Sequence, residues 1–163
     1  MKRVLITGAE GFTGRYVADA LAGRGIEVHG IVRSSGHERR DARYVSCHAV
    51  DLRDADAVDR VVAAIAPDRV LNLAGISFPA HGDVAEIYAA NLLGTRNLLS
   101  ALASQKTPPQ CVILVSSANV YDPTIAGRID ETAPLAPVND YGVSKVAMEY
   151  LRGPFAARLP IVV

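Results

Sequence analysis

The sequence predicts a doubly wound α/β fold, a parallel sheet covered by helices on both faces. Three observations lead there. Short apolar runs alternate with helical patterns along the 163 residues. The runs are rich in Val, Ile and Leu with little polar alternation, as in strands buried on both faces. The first run passes straight into glycines three apart, Gly8, Gly11 and Gly14, and that turn opens a helix.

Taken in order, strands are expected at 3–7, 27–32, 44–49, 69–74, 111–116 and 160–163. Helices are expected at 12–23, 54–65, 84–104 and 141–151. Asp54 and Asp83 stand where an N-cap is needed, since a short carboxylate accepts from the first unpaired amides of a helix. Pro67 ends the second helix, and Pro108-Pro109 separates the third from the strand after it. Within 84–104, Ile87, Ala90, Leu93 and Asn97/Leu98 recur at three- and four-residue intervals, so that stripe is expected to face the sheet. Right-handed crossovers between successive parallel strands then give the doubly wound order. The stretch 122–140 carries three prolines and reads as one long irregular loop, a kind that is usually functional.

Bulk composition narrows the function. Half the residues are hydrophobic and the formal net charge is zero, with no basic or acidic block. That argues against nucleic acid or a membrane surface as partner. Every apolar run is much shorter than the ~20 residues of a membrane span. The first strand begins at once, which leaves no room for a signal peptide. Cys47 and Cys111 fall in separate expected strands without ligand spacing, so two buried thiols in a reduced, cytoplasmic protein are expected. The length is that of one domain, 1–163.

The glycine turn carries the first piece of chemistry. Gly8 permits a sharp turn, Gly11 lets the backbone approach a pyrophosphate, and Gly14 lets the helix lie close to the strand. The helix N-terminus offers unpaired N–H groups and a positive dipole end to phosphate oxygens. A glycine-rich turn without a ligand is the plainer alternative. The second piece is Tyr141-Gly142-Val143-Ser144-Lys145, which sets a phenol and an ammonium at i and i+4 on one helix face. A phenol has an ordinary pKa near ~10, and a neighbouring ammonium favours its ionised form, so the pair can trade a proton near neutral pH. An ordinary exposed helix pair is the alternative there. The third is Ser116-Ser117 at the end of an apolar strand, where ligands of open α/β sheets bind, so Ser117 is expected to hydrogen-bond a reacting oxygen beside Tyr141. The fourth is Arg33-Ser34-Ser35 after the strand at 27–32. An acid there would take a ribose 2′-hydroxyl; an arginine and two hydroxyls suit a 2′-phosphate, which favours NADP over NAD.

These motifs stand in one order with Asp51-Leu52-Arg53-Asp54, Leu73-Ala74-Gly75 and Asn91-Leu92-Leu93-Gly94-Thr95. Together they resemble the extended short-chain dehydrogenase/reductases, the sugar-nucleotide epimerase/dehydratase family, across nearly the whole chain. The resemblance implies a Rossmann fold in which Gly8, Gly11, Phe12, Gly14, Arg33, Asp51, Leu52, Leu73, Ala74 and Gly75 hold the dinucleotide, with Asp51 and Leu52 at the adenine. It implies Ser117, Tyr141 and Lys145 as the catalytic group, Lys145 also holding the nicotinamide ribose, and Asn91 as a helix-embedded residue of structural role. It implies no metal, a nucleotide-sugar substrate, and a homodimer built from helices 84–104 and 141–151. Family members continue for about as many residues again, so a C-terminal substrate domain is expected to be absent from this chain.

Within that family, 4,6-dehydratases need a carboxyl acid/base just after the catalytic hydroxyl, where this chain has Ala118 and Asn119. The stretch 68–78 is most similar to reductases of GDP-linked 4-keto-6-deoxymannose. The expectation is therefore hydride delivery from NADPH to a sugar C4 carbonyl, with a 4-epimerase or a non-catalytic NADP-binding module as alternatives. The loop holding His81 and the loop 122–140 are expected to border the sugar, with no role assigned to His81 itself.

Overall fold

Residue-level packing follows the alternation of the sequence closely. The computed structural model describes residues 2–33, 41–78 and 81–163. Its six strands are β1 (Arg3–Thr7), β2 (Glu27–Val32), β3 (Ser46–Ala49), β4 (Arg69–Asn72), β5 (Cys111–Leu114) and β6 (Ile161–Val162). They form one sheet in the order β3-β2-β1-β4-β5-β6, and every pair is parallel. The chain runs outward from β1 to β3, then returns to start again at β4. The crevice between the carboxyl ends of β1 and β4 is therefore the topological switch point, where open α/β sheets bind ligands.

Helices α1 (Phe12–Ala22), α2 (Ala55–Ile65), α3 (Val84–Tyr88), α4 (Thr95–Ser104), α5 (Asp140–Tyr150) and α6 (Arg152–Phe155) connect the strands. Successive strand residues point to opposite faces, and two cores result. Val4, Ile6, Val28 and Val32 pack with Ala18 of α1 on one face. On the other, Leu5, Ile31, Val112 and Leu114 pack with Val58 and Val62 of α2, Leu98 and Leu102 of α4, and Met148 of α5. The expected caps are in place: Asp54 accepts from the Ala57 amide and Asp83 from the Glu86 amide, both at 3.0 Å. Ala66 leaves α2 in the left-handed region at φ 46°, just ahead of Pro67.

Several expectations need correction. β3, β4, β5 and β6 are shorter than the apolar runs that contain them: β3 joins the sheet only at Ser46, β4 and β5 stop pairing at Asn72 and Leu114, and β6 pairs only at Ile161 and Val162. The helix expected at 84–104 is interrupted by a π-helical segment, Ala89–Gly94. The wider turn rotates Leu93 to the surface, half exposed, and brings Asn91, Gly94 and Thr95 inward instead. The short helix α6 was not expected. Cys47 and Cys111 are half-buried rather than buried, and β2, β1 and β4 lie between their strands. No helix among the described residues is long and apolar enough to cross a membrane.

Candidate active site

The glycine turn closes on itself at the switch point. Gly8 has φ +67°, and a Cβ there would stand 2.9 Å from the backbone of both Leu73 and Ala74. The turn is thus pressed against the chain leaving β4. Gly11 N-caps α1 without any side-chain cap, so the first amides of that helix stay available to an anion. At Gly14 a Cβ would come within 2.6 Å of the Gly8 carbonyl, so α1 can lie this close only with glycine there.

A buried polar chain fixes the floor. Thr7 donates its hydroxyl to Asn72, Asn72 donates its amide to Thr95 Oγ1 at 3.0 Å, and the Ala74 amide donates to Thr7 Oγ1 at 3.2 Å. Thr7 and Thr95 have no exposure, so these bonds replace water that cannot reach them.

Above the floor lies a cavity of about 670 Å³ lined from both halves of the sheet. Gly8, Gly11, Phe12 and Gly14 contribute from the turn, Arg33 from the end of β2, and Asp51 and Leu52 from the segment after β3. Leu73, Ala74 and Gly75 line it from the end of β4, with Tyr141 and Lys145 from α5. Nearly every site residue expected from the sequence is thereby drawn into one crevice. Phe12 stands at its edge, largely exposed, its ring 4.9 Å from that of Tyr16.

Tyr141 and Lys145 sit one turn apart on α5, both buried. Asn139 caps this helix through the Gly142 amide, and at Gly142 a Cβ would meet the Asn119 carbonyl at 2.4 Å, which seats the helix start against the turn Ala118–Val120. Lys145 Nζ donates to the Val115 carbonyl at 2.9 Å. Burial pushes its pKa below the ordinary lysine value, and Glu149 offsets part of that. Across the crevice, a Cβ on Gly75 would lie 3.8 Å from the same ammonium.

Asn91 ties these parts together. Its Oδ1 accepts from the Ile76 amide at 2.7 Å, and its Nδ2 donates to the Ile76 carbonyl at 3.1 Å and to Ser144 Oγ at 2.9 Å. Ser144 donates in turn to the Tyr141 carbonyl. The π segment thus presents one side chain that fixes both the loop after β4 and the helix bearing Tyr141. The structural role expected of Asn91 has its geometry here.

Other expected residues fall differently. Ser117 is not among the cavity's lining residues; its hydroxyl accepts from the Asn119 amide at 3.2 Å and caps a 3₁₀ turn, while Ser116 lines the cavity and donates to Glu149. Asp51 lines the crevice, but Arg53 holds its carboxylate and keeps its pKa below the usual range. The Arg33 side chain is exposed, and Ser34 and Ser35 lie outside the described residues. His81 lines the cavity and pairs with Glu86 at 2.8 Å, whereas 122–140 supplies none of the lining.

One residue escaped the sequence reading. Glu10, inside the glycine turn, lines the cavity and accepts from the Arg33 amide through Oε1 at 2.9 Å. Its Oε2 is buried and has no hydrogen-bond partner among the described residues. The signal available in sequence is only that a charged side chain stands in a turn otherwise made of small residues.

The glycine cradle, the uncapped helix start and the paired Tyr141 and Lys145 fit a dinucleotide laid across the switch point. Known proteins agree. GDP-mannose 4,6 dehydratase 2 of Arabidopsis thaliana is 31% identical over 167 residues, covering 91% of this chain and 44% of that protein. GDP-6-deoxy-D-talose 4-dehydrogenase of Aggregatibacter actinomycetemcomitans is 27% identical, covering 91% and 47%. The UDP-glucose 4-epimerase of Thermus thermophilus, solved with NAD, superposes with a TM-score of 0.86 at 29% identity, over 98% of this chain and 53% of that one. The chain spans about half the length of the relatives it matches. A family model matches residues 4–157. With fold, groove and motif order in agreement, the chain belongs to the NAD dependent epimerase/dehydratase family.

Proposed function

We infer that this chain is the dinucleotide-binding part of an oxidoreductase that acts at C4 of a nucleotide-linked sugar. The observation that carries the reading is the meeting of the glycine turn, Gly75, Tyr141 and Lys145 in one crevice. A nicotinamide dinucleotide bound there would supply or accept the hydride. Gly8, Gly11 and Gly14 shape the pyrophosphate seat, Leu73, Ala74 and Gly75 flank it, and Lys145 reaches the ribose nearest Tyr141. Tyr141 moves the proton on the sugar O4, giving it when the carbonyl is reduced and taking it in reverse. Ser117, three residues past β5, only accepts hydrogen bonds in the structure and so keeps its own proton to orient that oxygen, whereas Ser116 gives its proton to Glu149.

Reduction of a 4-keto-6-deoxy sugar is the direction proposed. Ala118 and Asn119 carry no group able to remove a proton from C5 or protonate a leaving hydroxyl, which dehydration requires. The relative named for a 4-dehydrogenase of a GDP-6-deoxy sugar works at the same carbon. A 4-epimerase is the second reading, favoured by the likeness to the Thermus enzyme. Arg33 alone supports the phosphorylated cofactor. Leu93 and Val143, exposed on the π segment and α5, support a homodimer through those helices. A cytoplasmic setting fits two half-buried cysteines with three strands between them.

The test, run on the whole oxidoreductase of which this chain is the dinucleotide-binding part, is transfer of deuterium from reduced, 4-deuterated nicotinamide dinucleotide to C4 of a GDP-linked 4-keto-6-deoxyhexose, read by mass spectrometry. Tyr141→Phe should abolish transfer while dinucleotide affinity changes less than about threefold. No label in the sugar, or full transfer in the variant, overturns the assignment.

A further inference from the structure

We propose that Glu10 is the specificity-determining acid of the adenosine ribose, and that it selects the 2′-hydroxyl cofactor, NAD, over the 2′-phosphorylated one. This rests on the dinucleotide-binding reading above. In dinucleotide folds the carboxylate that takes the 2′-hydroxyl stands at the end of the second strand. Here that place in the chain is Arg33, the first residue after β2. The carboxylate is supplied from another segment instead. Glu10 reaches across 23 positions of sequence to accept the Arg33 amide at 2.9 Å, which puts an acid at the end of β2 although none follows it there.

Its remaining oxygen gives the ligand chemistry. Oε2 is out of contact with water and has no hydrogen-bond partner among the described residues, a costly state for a carboxylate oxygen. Glu10 lines the crevice together with Arg33 and Asp51, so the acceptor stands beside the path of the adenosine. The oxygen is sealed as the chain stands, so the carboxylate, held through Oε1 by the Arg33 amide, must turn toward the crevice for a ribose hydroxyl to donate to it. A 2′-phosphate brings a charge of the same sign and no proton to give at neutral pH, so it is repelled where the hydroxyl is held. The exposed Arg33 guanidinium is free to turn to solvent, and the amide it would lend to a phosphate is already taken by Glu10. The Arg33 side chain taken alone favours NADP, but its backbone amide is given to a carboxylate.

The test is calorimetric binding of NAD and of NADP to the purified chain, at low and moderate salt, for the parent, Glu10→Gln and Glu10→Ala. The parent should bind NAD at least about tenfold more tightly than NADP, the scale of one hydrogen bond to a charged group. Glu10→Gln and Glu10→Ala should each weaken NAD and improve NADP, so that the ratio falls about tenfold or more. Far-ultraviolet circular dichroism checks that each variant is folded, and the parent's preference stands as a test even if one is not. A parent that prefers NADP, or an unchanged ratio in the folded Glu10 variants, overturns the role of Glu10 while leaving the dinucleotide site intact. Binding of neither dinucleotide overturns both.

Discussion

Replacing Gly8 and Gly25 by alanine separates what the glycine turn owes to backbone conformation from what it owes to close approach. The two have nearly the same φ, +67° and +70°. An alanine at either must adopt the left-handed region, at a cost of about 1 kcal/mol. Around Gly25 nothing lies within 4 Å of an added Cβ, so the cost ends there. At Gly8 the same atom would sit 2.9 Å from the Ala74 nitrogen and the Leu73 carbonyl carbon, backbone that cannot rotate aside. Overpacking of that kind adds about 1–3 kcal/mol. Gly8→Ala should therefore lose about 2–4 kcal/mol and Gly25→Ala about 1 kcal/mol. For a chain of this size that corresponds to Tm shifts of about 5–15 °C and about 2–4 °C. Urea denaturation followed by circular dichroism measures both. Dinucleotide affinity should fall in the Gly8 variant and hold in the other. Equal losses in the two variants would refute the argument that close packing on β4 is what reserves position 8 for glycine.

Asn91→Ala removes the bonds to both main-chain groups of Ile76 and to Ser144, leaving buried partners unsatisfied; a loss of about 2–4 kcal/mol is expected, together with weaker dinucleotide binding, from urea midpoints and calorimetry. Asp51 is held below its unfolded pKa by Arg53, so its contribution to stability is complete above about pH 4 and fades as pH falls through the lowered folded value. Asp51→Asn should lower the urea midpoint at pH 7 and make its fall between pH 4 and pH 2 shallower, so that parent and variant converge in acid; an unchanged acid limb would count against the pair.

The parts of this molecule that were legible in sequence are those set by near neighbours. Val4-Leu5-Ile6 followed by the Gly8, Gly11 and Gly14 spacing specifies strand, turn and helix without reference to anything distant, and the crossover rule then leaves little choice of sheet order. Asp54 and Asp83 were readable as caps because the amides they accept from lie three residues on. Leu93 was misplaced because a periodic stripe assumes an unbroken turn, and one wide turn at Ala89–Gly94 moves each later position around the helix. The warning was Asn91, a polar residue four positions on from Ile87 and so on the same side of the helix as that stripe. Glu10 stayed hidden for a different reason: its partner is the amide just past the end of β2, 23 positions away, and no local pattern encodes that contact. Ser117 illustrates the converse, since position at a strand end identifies a hydroxyl near the crevice but not which way it is spent.

The threonine–asparagine–threonine chain under the switch point bears on how binding proceeds. With Thr7, Asn72 and Thr95 already bonded to one another, the bed on which a cofactor would rest is assembled before anything arrives. Little rotamer freedom remains there to be surrendered on association, so the entropic penalty falls on the incoming molecule and on the rim. Pre-organisation of this kind tightens binding without adding a contact, and does so mainly by slowing release.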